Sequence, residues 1–213
     1  MKRSFCFVPL LSALVLVLLL AGCWNPFKPP IIDNPGNGPT DEILPRTTPQ
    51  NVLNNLRVYY SVKDNYLTSP EEAHSLAREY WKTLLHPDFR FYFLAGYVPP
   101  DLPENWWARD EESRSLDSLL TMRALGVVNE IQLSWNPGPA QPDNRMTSPP
   151  PPEVPVPLHP GWMHIHVNLV LLDVTEGENI HRVNNGVADF YFAPDPADTT
   201  LWVISEWEDR PSS

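Results

Sequence analysis

The chain has little cysteine, little positive charge and none of the short motifs that mark familiar catalytic centres. Its 213 residues include two cysteines, Cys6 and Cys23. Fifteen Lys and Arg stand against 26 Asp and Glu, a formal charge of −11. A chain this acidic repels phosphate backbones, which excludes nucleic acid as a partner, and it has no polybasic grip for anionic lipid. There is no Gly-x-Ser-x-Gly, no phosphate-binding glycine loop and no His-Glu-x-x-His. Present instead are 26 prolines, eight Trp, eight Phe and seven Tyr, a large aromatic content for a core or a pocket.

The first 22 residues are not folded structure. Met1-Lys2-Arg3 is positive, Phe5 to Leu20 is apolar but for Cys6, Pro9 and Ser12, and the small residues Ala21 and Gly22 follow. That order is a secretory signal. An uncleaved anchor is the alternative, but it needs about 20 apolar residues and this run is shorter. Leu20-Ala21-Gly22-Cys23 resembles the lipobox of bacterial lipoproteins and matches it at every position. The resemblance implies cleavage before Cys23, acylation of that cysteine with palmitate-type chains, and a lipid anchor in the cell envelope. Trp24, where Asp would signal retention, implies the outer membrane in a Gram-negative host, with the domain facing periplasm or exterior. Cys6 leaves with the signal, so no thiol remains for a disulfide and the domain must hold through its core. Losing Lys2 and Arg3 moves the charge from −11 to −13.

Residues 23–47 continue from the lipidated Cys23 into a stretch rich in Pro, Gly and Asn, which predicts a flexible tether. Residues 48–213 form one domain. Thr48 as N-cap and Pro49 at the first position open a helix with Val52, Leu53, Leu56, Tyr59 and Tyr60 at helical spacing. Ser69, Pro70 and Glu72 give a capping box for a second helix, whose apolar face is Ala73, Leu76, Ala77, Tyr80, Trp81, Leu84 and Leu85. His86-Pro87-Asp88 is expected to end it. Phe89 to Leu94 reads as a strand, followed by a proline-rich loop carrying Trp106 and Trp107. A third helix spans about Asp110 to Leu125, its first acids suiting the helix dipole and Leu116, Leu119, Leu120 and Ala124 forming its stripe. Strands follow at Val127–Asn136, Trp162–Val174, Ile180–Phe192 and Leu201–Glu208. Residues 137–160, with ten prolines, form an insertion, expected to be a solvated segment rather than one that docks a partner.

This α+β order of helix, helix, strand, helix and antiparallel strands resembles the nuclear transport factor 2-like superfamily, a cystatin-like cone of three N-terminal helices on a curved, mainly antiparallel sheet. "HPDFRFYF" resembles the way such chains enter the first strand, "WWARDEESRSLDSLL" the third helix, and "LWVISEWED" the closing strand, with Trp202, Ile204, Trp207 and Asp209 in place. The resemblance covers about residues 48–210 without the insertion. It implies the fold but no activity, since members include enzymes, adaptors and domains without chemistry.

Strand alternation decides what the hollow of the cone offers. Met163, Ile165, Val167, Leu169 and Leu171 are predicted to face the helices, with Ile131, Leu133, Trp135, Ala188, Phe190 and Phe192. His164, His166, Asn168, Asp189, Tyr191, Glu130, Gln132 and Ser134 then face out. Tyr59, Tyr60, Trp81, Trp135, Phe190 and Phe192 are candidate walls for an apolar ligand; for any single one of them core packing is the better account. His164, His166, Asp189 and Glu130 form an outer-face polar cluster. Two histidines two apart on a strand, with Cα atoms about 6.5 Å apart, share a side. They suit a solvated or dimer-facing surface better than a metal, since zinc needs three or four supported ligands. No metal or cofactor is expected. One register follows: Leu172 opposite Arg182, with a bulge at Asn184-Asn185-Gly186 to bring His166 opposite Asp189.

The functional expectation is a lipid-anchored, non-catalytic domain that binds an apolar small ligand or a protein partner. One alternative is an isomerase, dehydratase or cyclase recruiting Tyr60, Asp117 or His86; another is a structural envelope or homodimer module joined across the outer sheet face.

Overall fold

The computed structural model describes residues 42–61, 69–94, 96, 98, 102, 104–148, 155–184 and 186–210. The expected signal, Cys23, most of the expected tether and the four-proline run at 149–152 lie outside the described residues. Among the described residues no helix is long and apolar enough to cross a membrane.

Local signals set the first two helices. In α1 (Pro49–Tyr60), the Thr48 hydroxyl accepts from the Asn51 amide and Pro49 fills the first turn. In α2 (Pro70–Leu84), Ser69 and Glu72 form the reciprocal capping box. α2 stops at Leu84, just ahead of His86-Pro87-Asp88 as expected, and the chain runs directly into β1 (Leu85–Tyr92). β1 pairs parallel to β8 at Leu85 and again from Arg90, and its register breaks across Pro87, which has no N–H to give a ladder. Trp106 and Trp107, expected in a loop, belong to a short strand, β2 (Trp106–Ala108), antiparallel to β1. In α3 (Arg109–Ala124), Glu111 accepts from the Ala108 amide, and the helix closes at Gly126, whose φ of +72° suits a residue without Cβ.

The remaining strands are β3 (Glu130–Pro137), β4 (Gln141–Pro142), β5 (Met163–Glu176), β6 (Asn179–Asn184), β7 (Val187–Pro194) and β8 (Trp202–Arg210). They complete one sheet of order β2-β1-β8-β7-β5-β3, with β4 and β6 also on β5. The described residues form an α+β fold with three helices and a strongly curled, half-barrel sheet in which, among those residues, every pair but β1–β8 is antiparallel. Val52, Leu53 and Leu56 of α1, Ala73, Ala77 and Tyr80 of α2, and Leu116 and Leu120 of α3 share a single core with Ile165, Val167, Phe190 and Phe192.

Two bulges shape the curl, since an extra residue bends a strand and increases its twist. On β8 the extra residue is Ser205, between the pairs Tyr191–Glu206 and Phe192–Ile204. On β5 it falls between Asn168 and Leu171, opposite Ser134–Asn136 of β3. This second bulge corrects the predicted facing. Met163, Ile165 and Val167 face the core as expected, but past the bulge Val170, Leu172 and Val174 take over and Leu171 is displaced from the inner set. The side chain of Leu169 lies outside the described residues.

The predicted hairpin register is one residue out. Gly177 and Glu178 alone form the turn, Glu176 pairs with Asn179, and Leu172 meets Val183 rather than Arg182. Gly177, at φ +57°, supplies the positive φ that a two-residue turn needs. The same register runs on to His166 opposite Asp189, so no bulge is required at residues 184–186.

The end of the expected tether is held against the domain. The Asn55 side chain pairs with both backbone groups of Leu44 at 2.8 Å, and the Arg46 backbone carbonyl accepts from Trp202 while its guanidinium pairs with Asp195 at 2.9 Å.

Candidate functional site

The inner, helix-facing side holds one buried carboxyl. Glu112 lies four residues before Leu116 and eight before Leu120, on the same stripe of α3, and is 2% exposed. Its Oε1 accepts from the Tyr60 hydroxyl at 2.5 Å and from the Tyr80 hydroxyl at 3.1 Å. Burial pushes the carboxyl above its ordinary value despite both hydroxyls and the Trp107 indole, which favour the charged form. Burial, and then the Glu112 charge, push both phenols well above theirs. The chemistry is that of an acid held between two donors, but all three side chains are sealed in the core.

The same core is built of rings packed on one another. Phe190 lies 4.8 Å from Trp207 and 5.7 Å from Trp135, Trp207 lies 5.1 Å from Phe91, and Phe91 lies 5.4 Å from Trp107. Tyr80 touches both Tyr59 and Tyr60. Five of the six candidate pocket residues, Tyr59, Tyr60, Trp135, Phe190 and Phe192, therefore belong to or pack on one core. Trp81 does not join them. It sits on the far side of α2, its indole N–H donating to Asp110 at 3.0 Å and its ring under the Arg109 guanidinium at 3.9 Å. Its place on the apolar stripe misled because α3 packs along that edge of α2.

On the outer sheet face His164, His166 and Asp189 come together as the alternation predicts. Asp189 Oδ1 accepts from His164 Nε2 and His166 Nδ1, each at 2.8 Å, and Oδ2 accepts from Arg210 Nε at 2.9 Å. Burial alone would raise the Asp189 carboxyl; the two imidazole N–H groups and Arg210 outweigh it and hold the group well below the usual carboxylate range. Glu130 is not part of this cluster. It pairs with Thr175 at the other end of β5. Among the described residues no group of three or more His, Cys, Asp or Glu is arranged to hold a metal.

The outer face is not fully solvated. The described parts of the insertion, residues 141–148 and 155–160, fold over it as an arm. β4 pairs with the start of β5, and Arg145–Thr147 forms a ribbon with Val156–Leu158. Arg145 fastens the arm. It forks onto Asp143, donates to Glu206 at 2.5 Å and Glu208 at 3.4 Å, and stacks over the Tyr191 ring at 3.5 Å. Desolvation opposes the charge on Arg145, but these carboxylates outweigh it and raise its value. Burial pushes Glu208 up, and burial likewise raises the Tyr191 phenol to about 12. Beside this clamp His159 stacks on Trp162 at 3.8 Å.

Other residues considered for catalysis do not converge. His86 accepts from the Asp88 amide on β1, and burial lowers its basicity. Asp117 pairs with His74 at 2.6 Å on the helical surface, away from Tyr60 in the core. Sequence reasoning missed Glu112 and Arg145. Glu112 carried a signal, an acid in register with two buried leucines. Arg145 carried none for the clamp, since its partners on β8, Glu206 and Glu208, lie 61 and 63 residues away. No family model matches this chain, and no curated protein matches it.

Proposed function

We propose that the chain is a lipid-anchored module outside the cytoplasm, with a nuclear transport factor 2-like cone, that recognises a partner on its surface and performs no chemistry. The observation that carries this reading is the sealing of Glu112 under Tyr60 and Tyr80. General acid–base catalysis needs a group within hydrogen-bond reach of substrate, and an isomerase, dehydratase or cyclase would need this carboxyl open to one. The ring contacts among Phe190, Trp207, Trp135 and Phe91 likewise occupy the walls that an apolar ligand would need. The partner is therefore met on the outside.

Two measurements test the two halves of the reading. Intact mass of the protein from bacterial membranes should show a chain beginning at acylated Cys23, and replacing Cys23 by Ser should abolish the modification; an unmodified chain beginning at Met1 would refute the anchor. Titration of the lipid-free mature chain (residues 24–213) with the apolar fluorophore N-phenylnaphthylamine should give no saturable signal. A saturable one-to-one signal lost in Phe190→Trp would show an interior ligand site and overturn surface recognition.

A further inference from the structure

Between α2 and α3, on the surface away from the sheet, runs an open groove of about 650 Å³. We propose that it binds an acidic glycan, an inference that rests on the surface-recognition reading above and supplies the class of partner. Ala77 is nearly sealed, so the groove has a small, firm floor between larger side chains. Trp81 forms one wall and is already oriented, its N–H held by Asp110 and its ring by Arg109, so a ligand stacking on it has little side-chain entropy to remove. Arg78 and Lys82, one helical turn apart on α2, line the same groove and make no ion pair among the described residues. In a chain of formal charge −11, two unpaired cations beside a fixed indole are a local exception, and they favour an anion.

The lining decides the class of anion. Asp110 and the His74–Asp117 pair, 2.6 Å apart, put acceptors among the cations. Sugar hydroxyls both donate and accept, so a uronate ring can use both signs, laying its C–H face on the indole and its carboxylate on Arg78 or Lys82. An acidic peptide would meet the same cations and the same aspartates, but its side chains lack the flat C–H face that a uronate ring lays on the Trp81 indole. An apolar ligand finds too few apolar atoms on these walls.

The test uses the acylated mature chain in neutral detergent, titrated calorimetrically with tetragalacturonate, maltotetraose, tetraglutamate and inorganic phosphate. Tetragalacturonate should bind at about millimolar or tighter, and the affinity should fall with added salt. Arg78→Ala/Lys82→Ala should weaken it at least tenfold, and Trp81→Ala comparably. Both cations are exposed, so an unchanged melting temperature keeps the double variant interpretable. The proposal is overturned by equal binding of maltotetraose, by equal or tighter binding of tetraglutamate or phosphate, by binding indifferent to the double substitution, or by no binding of tetragalacturonate at all. The mass of the Cys23 terminus and the fluorophore titration stand whichever way this result falls, so a failure here is separable from a failure of the anchor or of surface recognition.

Discussion

Replacing Arg145 by alanine should lift the proline-rich arm off the sheet and leave the sheet folded. The substitution removes a fork onto Asp143, a hydrogen bond to Glu206 and a cation over the Tyr191 ring. The Asp143 side chain is 0% exposed and would lose its guanidinium, keeping the backbone amide of residue 145 and the nearby His159. Breaking a buried pair by removing one partner costs roughly 3–5 kcal/mol. The lower end applies, because Arg145 is partly exposed and Asp143 can recover water if the arm swings out. About 3 kcal/mol corresponds to roughly a hundredfold change in an opening equilibrium. Hydrogen exchange reads this directly. The Asp143 amide, which donates to Trp162, reports docking, while the Thr147 and Leu158 amides report the ribbon. An isolated two-stranded ribbon is marginal in water, so all three should exchange about a hundredfold faster, with amides of β5 and β7 beside Ile165 and Phe190 unchanged. Unaltered protection at Asp143 would show that β4 and the stacked His159 and Trp162 hold the arm without Arg145.

Two further expectations concern the buried carboxyls. Asp189 has a depressed folded-state value, so its stabilisation is present above the unfolded value near 4 and is lost as pH falls. Asp189→Asn should therefore cost about 1–3 kcal/mol at neutral pH and flatten the acid limb of the urea midpoint between about pH 4 and pH 2; an unchanged acid limb would mean the imidazole and Arg210 bonds are not the source. Glu112 has the opposite sign: its raised value adds stability at low pH that is lost as pH rises. Glu112→Gln should gain stability relative to the native chain between about pH 5 and pH 8, and a relative loss over that range would refute the reasoning.

Helix starts were legible because they depend on neighbours. Thr48 with Pro49, and Ser69 with Glu72, each satisfy backbone groups within three residues, and the structure shows both as expected. Strand facing was legible where alternation runs unbroken, at Ile165, Val167, Ala188, Phe190 and Phe192. It failed at the β5 bulge because apolar residues fill Leu169 to Leu172 on both parities, and a pattern without polar punctuation cannot show where an extra residue is absorbed. The insertion was expected to be solvated because loop tips tolerate insertion, yet its described parts form a ribbon that Arg145 ties to Glu206 and Glu208 of β8.

The candidate sites divide along the same line. The sequence by itself determined the acidic balance, the capped helices and the gathering of His164, His166 and Asp189 on one face, all consequences of composition or of a repeat of two to four residues. Tertiary structure alone decided that Glu112 would be sealed by tyrosines from two other helices, that Trp81 would turn to a groove instead of the core, and that Arg145 would find Glu206 across 61 positions. Those outcomes depend on which surfaces the curled sheet and the helices bring together. Burial and Coulomb energies act through space and leave no periodic trace along the chain.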